Sequence, residues 1–390
     1  MQLDFHYYAT YCAAYLAGYP HEESLKIAYS AQFVDCCSRT LLARIGGPSS
    51  AATTQLSLEL MEANTDPVGL QDITRIWASF HFLPGNLYAE KKHCSKAYLR
   101  RYRLICNTNG SLLVDTVELA RNKGLEAVGL AMHVLADTWA HRYFAGTPSL
   151  VINNTNHHFY ELIPEGDGFI ELPVRFNHNP ASPDVPDKAI YTNSLYQANE
   201  HSIMNLGHGR AGHFPDYSYA RYRYMPAWAG YKEVLKDNPS DYLCAFKQMI
   251  YAIKCLRTED TRFEVNTYAE AETAPWTPVI EKILNKRQLE VCAEWKEFAE
   301  TLSGCTVPDF SIETYLEEYM QAEKEKKDET TMGRFILAAL SQKSMVTNRI
   351  FSSGNLLAGY SVDVSKNGFQ GIRDFQRLIR GSADDRPANP

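Results

Sequence analysis

The residues from Gly124 to Tyr143 read G-L-E-A-V-G-L-A-M-H-V-L-A-D-T-W-A-H-R-Y, and no other run restricts the fold as tightly. They predict one helix over 124–143, apolar around most of its circumference. A helix of that kind must be enclosed by other elements rather than laid on a surface. The chain has the material to enclose it: 45% of its 390 residues are hydrophobic, too many for a disordered polymer and enough for a sizeable core.

The surrounding pattern is helical as well. Helices are expected over 5–18, ended by Gly18 and Pro20, and over 22–36, opened by the acidic pair Glu22–Glu23. Further helices are expected over 111–121, 240–257, 276–303, 311–327, 329–342 and 367–380. The stretch 37–75 has no clear period and carries the loop Gly46-Gly47-Pro48-Ser49-Ser50. Character changes over 146–190, where F-Y-E-L-I-P-E-G-D-G-F-I-E-L-P-V reads as two strands around a turn at Glu165–Gly168. A return to helix over 190–206 and a Gly-, Pro- and Tyr-rich loop over 207–228 follow. The expected fold is mainly α: a multi-helix bundle with a small β-hairpin insertion and a C-terminal helical extension. As domains, 1–235 read as a metal-binding catalytic unit containing the 146–190 insertion, and 236–390 as a C-terminal helical region.

Composition narrows the partners. The net charge of −7 supplies no field that draws in nucleic acid, so stable nucleic-acid binding is not expected. Nine cysteines with no C-x-x-C pair describe buried, reduced thiols rather than a disulfide scaffold or a cysteine zinc finger. The opening M-Q-L-D-F-H-Y-Y lacks the basic and apolar regions of a signal peptide, and no run reaches the ~18 apolar residues of a membrane span. The expectation is a cytoplasmic protein without a transmembrane segment, signal-independent secretion being the alternative. Tyrosine clusters at Tyr7, Tyr8, Tyr11 and Tyr15, and at Tyr217, Tyr219, Tyr222 and Tyr224, suit either a wet cleft or plain packing.

The chemistry concentrates on the same apolar helix, at His133-x-x-x-Asp137-x-x-x-His141. Residues four apart share a helix face, so two imidazoles and a carboxylate project together into an apolar surround. Left unpaired there, they would cost several kcal/mol. A metal ion resolves that cost, because imidazole nitrogen and carboxylate oxygen are good ligands for zinc and its neighbours. Further candidates are Asp4 and His6 at the start of the chain, Asp35 at the end of an apolar helix, and His81 among aromatics in W-A-S-F-H-F-L-P. A last cluster, Gly207-His208-Gly-Arg210-Ala-Gly212-His213-Phe-Pro-Asp216, combines close backbone approach with two imidazoles and a carboxylate. Arg221 and Arg223 follow it, and guanidinium forks suit phosphate oxygens. His157, His158 and His178 read as rim or surface groups, and nothing surrounds His21 or His93 to recommend them.

In order along the chain the candidates are His6, Asp35, His81, His133-x-x-x-Asp137, His141 and His213-x-x-Asp216. That order resembles the zinc-dependent phospholipase C superfamily, which includes the related single-strand nucleases. The resemblance implies an all-helical fold holding roughly two or three zinc ions, with Asp137 as the bridging carboxylate. The chain departs from the superfamily in three ways. Met1 stands where the exported enzymes present a mature Trp amine to zinc, and Asp4 is the residue that would take that amine's place. His141 follows Asp137 by only four residues, and the final pair is H-x-x-D rather than H-x-x-x-[DE]. The chain also resembles an uncharacterised bacterial family that opens with D-F-H-Y-Y and carries H-x-x-x-D-T-x-x-H and G-H-x-x-x-G-H-x-P-D, a likeness covering at least 1–225.

The function expected from these residues is metal-dependent hydrolysis of a phosphoester or phosphodiester in a small-molecule or lipid-like substrate. Zinc is the expected ion, with manganese or iron as substitutes. Metal ligands are Asp4, His6, Asp35, His81, His133, Asp137, His141, His208, His213 and Asp216, while Asp137, Arg221 and Arg223 carry catalysis. Two other readings compete. One is a metal-stabilised binding or structural protein. The other is a di-iron helical protein, disfavoured by the absence of E-x-x-H on an apolar face.

Overall fold

Helix boundaries follow the capping chemistry of the chain. The computed structural model describes residues 1–63, 66–155, 158–179, 182–193, 205–258 and 260–361, and it is predominantly helical over them. The first half holds α1 (Thr10–Leu16), α2 (His21–Phe33), α3 (Arg39–Ile45), α4 (Ser57–Ala63), α5 (Pro67–Phe80), α6 (Lys96–Tyr102), α7 (Ser111–Leu119), α8 (Leu125–Ala140) and the short α9 (Leu150–Asn153). The second half holds α10 (Asn238–Arg257), α11 (Glu270–Thr273), α12 (Thr277–Leu284), α13 (Cys292–Ser303), α14 (Leu316–Gln321) and α15 (Thr331–Ser352). Asp66 opens α5: its carboxylate accepts from the N–H groups of Val68 and Gly69 at 2.8 Å, and Pro67 fills the first turn. Ser38 and Thr330 cap α3 and α15 in the same way. Asp4–Ala9 forms a π-helical segment that runs straight into α1, a wide turn of the kind found mostly at functional sites.

α8 runs through the middle, buried at every residue from Glu126 to Ala140, with α2, α5, α7, α10 and α15 packed around it. Gly129 sets its distance from α2: a Cβ there would lie 2.2 Å from the Ile27 carbonyl oxygen, so only glycine permits this approach. At its C-terminal end the buried Lys236 ammonium donates to the Trp139 carbonyl at 2.7 Å, a cation where the helix dipole is negative.

One hydrophobic cluster extends from Met1 to Ala358 and takes residues from α1, α2, α8, α10, α13 and α15 alike. A boundary at residue 235 therefore does not divide the core; the C-terminal helices enclose α8 rather than extend from it. A second, aromatic cluster gathers Phe82, Phe144, Phe159, Phe214, Tyr222 and Tyr224 around the sheet.

The sheet grows from the expected hairpin. β1 (Tyr160–Glu165) pairs antiparallel with β2 (Gly168–Pro173), Glu165 facing Gly168 across the turn. β3 (Arg175–Asn177) and β4 (Ile190–Thr192) form a separate parallel pair. β5 (Arg221–Tyr224) and β6 (Val234–Asp237) complete a four-stranded order β2-β1-β5-β6. Two of these strands fall in segments expected to be helix or loop. In β5 the alternation Arg-Tyr-Arg-Tyr buries Tyr222 and Tyr224 in the aromatic cluster and turns both arginines outward, a period-two signal inside a glycine-rich stretch. The helix expected over 276–303 is broken into α12 and α13, and Arg287 in the break pairs with buried Glu161 of β1. The expected 311–327 helix shrinks to a 3-10 turn and α14, while α15 extends beyond 342 to Ser352. Residues 194–204 and the helix expected over 367–380 lie outside the described residues. All nine cysteines are free thiols, and among the described residues no helix is long and apolar enough to cross a membrane.

Candidate metal centre

α8 carries His133 and Asp137 into the seam between the two clusters. The π-segment brings His6 against them: the His6 and His133 rings stack at 3.8 Å. His6 Nε2 lies 3.2 Å from Asp137 Oδ1 yet is not aligned to hydrogen-bond with it. α5 ends at Phe80, and the next residue, His81, places Nδ1 3.2 Å from Asp137 Oδ2 and 3.3 Å from His133 Nε2. Asp35, just past α2, faces the same point, with Oδ1 3.7 Å from His81 Nδ1 and 3.9 Å from His133 Nε2.

The opposite side of Asp137 meets a second group. His141 is the residue that ends α8, and its Nε2 lies 3.0 Å from Asp216 Oδ1. His208 Nε2 lies 3.6 Å from the same oxygen. The Met1 amine nitrogen sits among them, 2.8 Å from Asp137 Oδ1, 3.2 Å from His141 Nε2 and 3.3 Å from Asp216 Oδ1. Three sets of side chains thus offer ligand atoms within 4.8 Å of one another: His6, His133 and Asp137; Asp35, His81 and His133; His141, His208 and Asp216.

Backbone carbonyls decide which ring nitrogens face inward. His81 Nε2 meets the Thr53 carbonyl at 3.0 Å, His141 Nδ1 meets the His81 carbonyl at 2.7 Å, and His208 Nδ1 meets the Gly212 carbonyl at 2.7 Å. A carbonyl only accepts, so each of those nitrogens carries the proton. In the neutral ring the inward nitrogen is then a lone pair, aimed at carboxylates or at another imidazole. Such an arrangement repels itself unless a proton or a cation stands in it; the Met1 ammonium meets His141, Asp137 and Asp216, and the carbonyls are the outer partners that metal-bound histidines use. His6 Nδ1 and His133 Nδ1 are buried without a partner.

The electrostatics favour the ligand forms of some members and the protonated forms of Asp35, His81 and the Met1 amine, the last raised to about 11 because its burial is outweighed by Asp137 and Asp216. Burial pushes His6, His133 and His208 down to about 4, which keeps them neutral. Burial opposes ionisation of Asp137 and Asp216, but the surrounding imidazoles and the Met1 ammonium outweigh it and hold both carboxyls well below their usual range. Burial raises Asp35. For His81, burial is outweighed by Asp137 and Asp35, which raise it. Neutral imidazoles at His6, His133 and His208 and ionised carboxylates at Asp137 and Asp216 are what a divalent ion requires, so these donors fit zinc or a similar ion.

A loop and an aromatic wall complete the surround. Phe82 stacks on His141 at 4.8 Å and lies 5.8 Å from His208, and Trp77 covers His81 at 5.0 Å. Gly207 has φ +54°, and a Cβ there would lie 2.1 Å from the Phe82 ring, so glycine alone lets the His208 loop settle on this wall. Solvent reaches the centre from one side, where the Asp35 side chain is 32% exposed. His213 stands on the surface, 62% exposed, with Nδ1 3.2 Å from Asp216 Oδ2.

Of the residues singled out in the sequence, His6, Asp35, His81, His133, Asp137, His141, His208 and Asp216 come together. Asp4 does not join them: its carboxylate accepts from the Val291 N–H at 3.2 Å, and burial raises its pKa to about 6. The Met1 amine occupies the place expected for Asp4. His213 belongs to none of the three ligand sets, being tied to Asp216 instead. Arg221 pairs with Asp237 at 2.9 Å, and Arg223 pairs with Glu171 and Glu233 at 2.6 and 2.7 Å. Neither arginine bonds a residue of the centre among the described residues. Arg210 is buried, donates to Asn205 Oδ1 at 3.1 Å and leaves Nε without a partner. His158 and His178 flank a shallow depression beside β1 and β3, and His157 lies outside the described residues. The amine at Met1 is the member that sequence reasoning misses. Its signal is the superfamily resemblance, in which an N-terminal amine meets zinc, and the expectation that Asp4 takes that place sets it aside.

No curated protein and no solved structure matches the chain. A profile built for a protein family of unknown function does match, over residues 1–350, which takes in every member of the centre and nearly all of the described fold. The chain therefore belongs to that family, the family of unknown function DUF6765.

Proposed function

We propose that the protein is a metal-dependent hydrolase of phosphoester bonds, with zinc as the ion that best suits its ligands. The observation that carries this reading is Asp137, a buried carboxylate between two imidazole-rich groups, with His6 and the Met1 amine near one oxygen and His81 and His133 near the other. A carboxylate so placed suits adjacent ions, and paired ions serve in-line displacement at phosphorus by stabilising attacking and leaving oxygens together. When bound, such ions polarise a phosphoryl oxygen and acidify water toward neutral pH.

The chain's own residues would do the remaining work. The carbonyls of Thr53, His81 and Gly212 fix three imidazole orientations before any ligand arrives. Phe82 and Trp77 keep water from one side. Substrate would reach the centre where it is exposed, at Asp35 on the helical side or at His213 on the loop side. The hydrogen bond to Asp216 raises the pKa of His213, so this imidazole can keep a proton at Nε2 for the leaving oxygen.

Elemental analysis of the purified protein, paired with turnover of bis(p-nitrophenyl) phosphate and p-nitrophenyl phosphate, tests the reading. Stoichiometric zinc and turnover that disappears on verified stripping and returns on reloading are expected. Turnover that survives stripping would refute it. Stoichiometric metal with no turnover of any phosphoester would favour a metal-stabilised structural protein instead.

A further inference from the structure

A cavity of about 350 Å³ lies between the C-terminal end of α7, the N-terminal half of α8 and the middle of α15. None of its lining residues belongs to the metal centre. It opens to solvent at Asn122, Lys123 and Gly124, and ligand sites begin at roughly 300 Å³. The space therefore has the size of a site.

Leu119, Leu130, Ala131, Leu337 and Ala338 form an apolar part of its wall, and Asn122 and Ser341 add polar groups. Two buried polar residues, Thr116 and Gln342, line it as well, and they are occupied with the protein itself. The Gln342 amide donates to the Ser79 carbonyl at 3.1 Å and to Thr116 Oγ1 at 3.0 Å. These donors make no demand on a ligand, so the part of it that lies along the leucines and alanines can be hydrocarbon. Charge enters with Lys123 and Arg334. Arg334 is neutralised by Glu126 at 3.1 Å, while Lys123 pairs with no carboxylate among the described residues. Lys123 is exposed and lines the cavity, so its ammonium can meet an anionic group there.

We propose that this cavity binds a medium-chain monocarboxylate, its hydrocarbon tail between the leucines of α7, α8 and α15 and its carboxylate at Lys123. A space of about 350 Å³ falls in the range of small-molecule sites and has room for a chain of roughly eight carbons with its head group. The site is independent of the hydrolase reading, because neither its residues nor its ligand chemistry involves the metal ligands.

Calorimetric titration of the full-length, metal-loaded protein with octanoate and with 1-octanol tests the proposal. Octanoate is expected to bind with micromolar Kd, and octanol about tenfold more weakly for want of one charge contact. Lys123→Gln should bring octanoate down to the level of octanol. Ala338→Trp should fill the cavity and abolish both, with metal content unchanged. Leu337→Trp makes the same test at a half-exposed wall position, should the Ala338 variant not fold. Absence of octanoate binding, equal affinity for the two ligands, or binding that survives a correctly folded tryptophan variant would overturn the proposal. None of these readouts depends on phosphoester turnover, so failure here and failure of the hydrolase reading are separate results.

Discussion

The candidate ligands of the centre come from two kinds of backbone. His6, Asp35, His81, His133 and Asp137 stand on helices, or one or two residues past their ends, beside the large hydrophobic cluster. His208 and Asp216 stand on the loop between Asn205 and Ala220, a run of short turns resting on the aromatic cluster. His141, the residue that closes α8, touches both sides. Helical ligands are held by packing that exists without an ion. Loop ligands are held by a few carbonyl contacts and an aromatic wall. An ion shared across that seam would therefore organise the loop side far more than the helix side.

Asp137→Asn should break the contrast most completely. The amide keeps the shape but removes the charge that faces His6, His81, His133, His141 and the Met1 amine. Losing one partner of a buried charge cluster costs about 3–5 kcal/mol. At about 1.4 kcal/mol per decade, that is a loss of hundreds- to thousands-fold in ion affinity. Elemental analysis after dialysis should find both sides of the seam empty. A variant that retained its full metal content would remove Asp137 from the middle of the centre.

Chelation should then separate the two sides. An ion held at about a thousand times its Kd stabilises by about 4 kcal/mol, so stripping should lower Tm by several degrees. In hydrogen exchange, amides of 205–220 should exchange faster without metal, while those of α8 from Glu126 to Asp137 keep their protection. Equal acceleration on both sides would show that the helices need the ion as much as the loop does.

The same division explains which parts of the molecule are legible in the amino-acid sequence. His133 and Asp137 share a face because one helix fixes both, and the apolar residues around them announce that the face is buried. Helices around a central α8, and the hairpin at Gly166–Asp167, are legible for the same reason: each period is set by local backbone geometry. Loops have no period. His208, His213 and Asp216 stand out as a group, yet nothing in their spacing says that His213 turns to solvent while His208 turns inward. The Met1 amine reaches the centre through a π-turn that no propensity signals. The arginines of β5 read as phosphate ligands because their partners Glu171, Glu233 and Asp237 lie on other strands or beyond the next turn, and only the sheet brings them together. The C-terminal helices show in the hydrophobic pattern, but their closure over α8 does not, because burial on two sides of a helix leaves no mark of which helix covers it.

Gly207→Ala acts on the loop side alone. Forcing a side chain to φ +54° costs about 1 kcal/mol, and displacing the Phe82 ring adds about 1–3 kcal/mol. The variant should lose affinity for the ion at His141, His208 and Asp216 and keep the ion at His6, His133 and Asp137, giving a substoichiometric metal count. The double variant Gly207→Ala with Phe82→Leu should regain part of the loss, since it removes the clash but leaves the backbone strain. If the single variant lost all of its metal, the two sides would be one cooperative unit.

The smallest effect is expected at Arg223, and it decides between two roles for that residue. As a phosphate ligand it would be a catalytic group, and Arg223→Gln would cost orders of magnitude in kcat. As the structure has it, the guanidinium spans Glu171 and Glu233 at the outer face of the sheet and lies over the Tyr160 ring at 4.3 Å. Both glutamates are about half exposed, so solvent screens the pairs and each contributes at most about 1 kcal/mol. Arg223→Gln should therefore lower Tm by a degree or two, leave the metal content intact and leave phosphodiester turnover within about twofold of the parent. A large fall in kcat with metal and Tm preserved would return Arg223 to the substrate, and would mean that its two ion pairs exchange for phosphate oxygens during turnover.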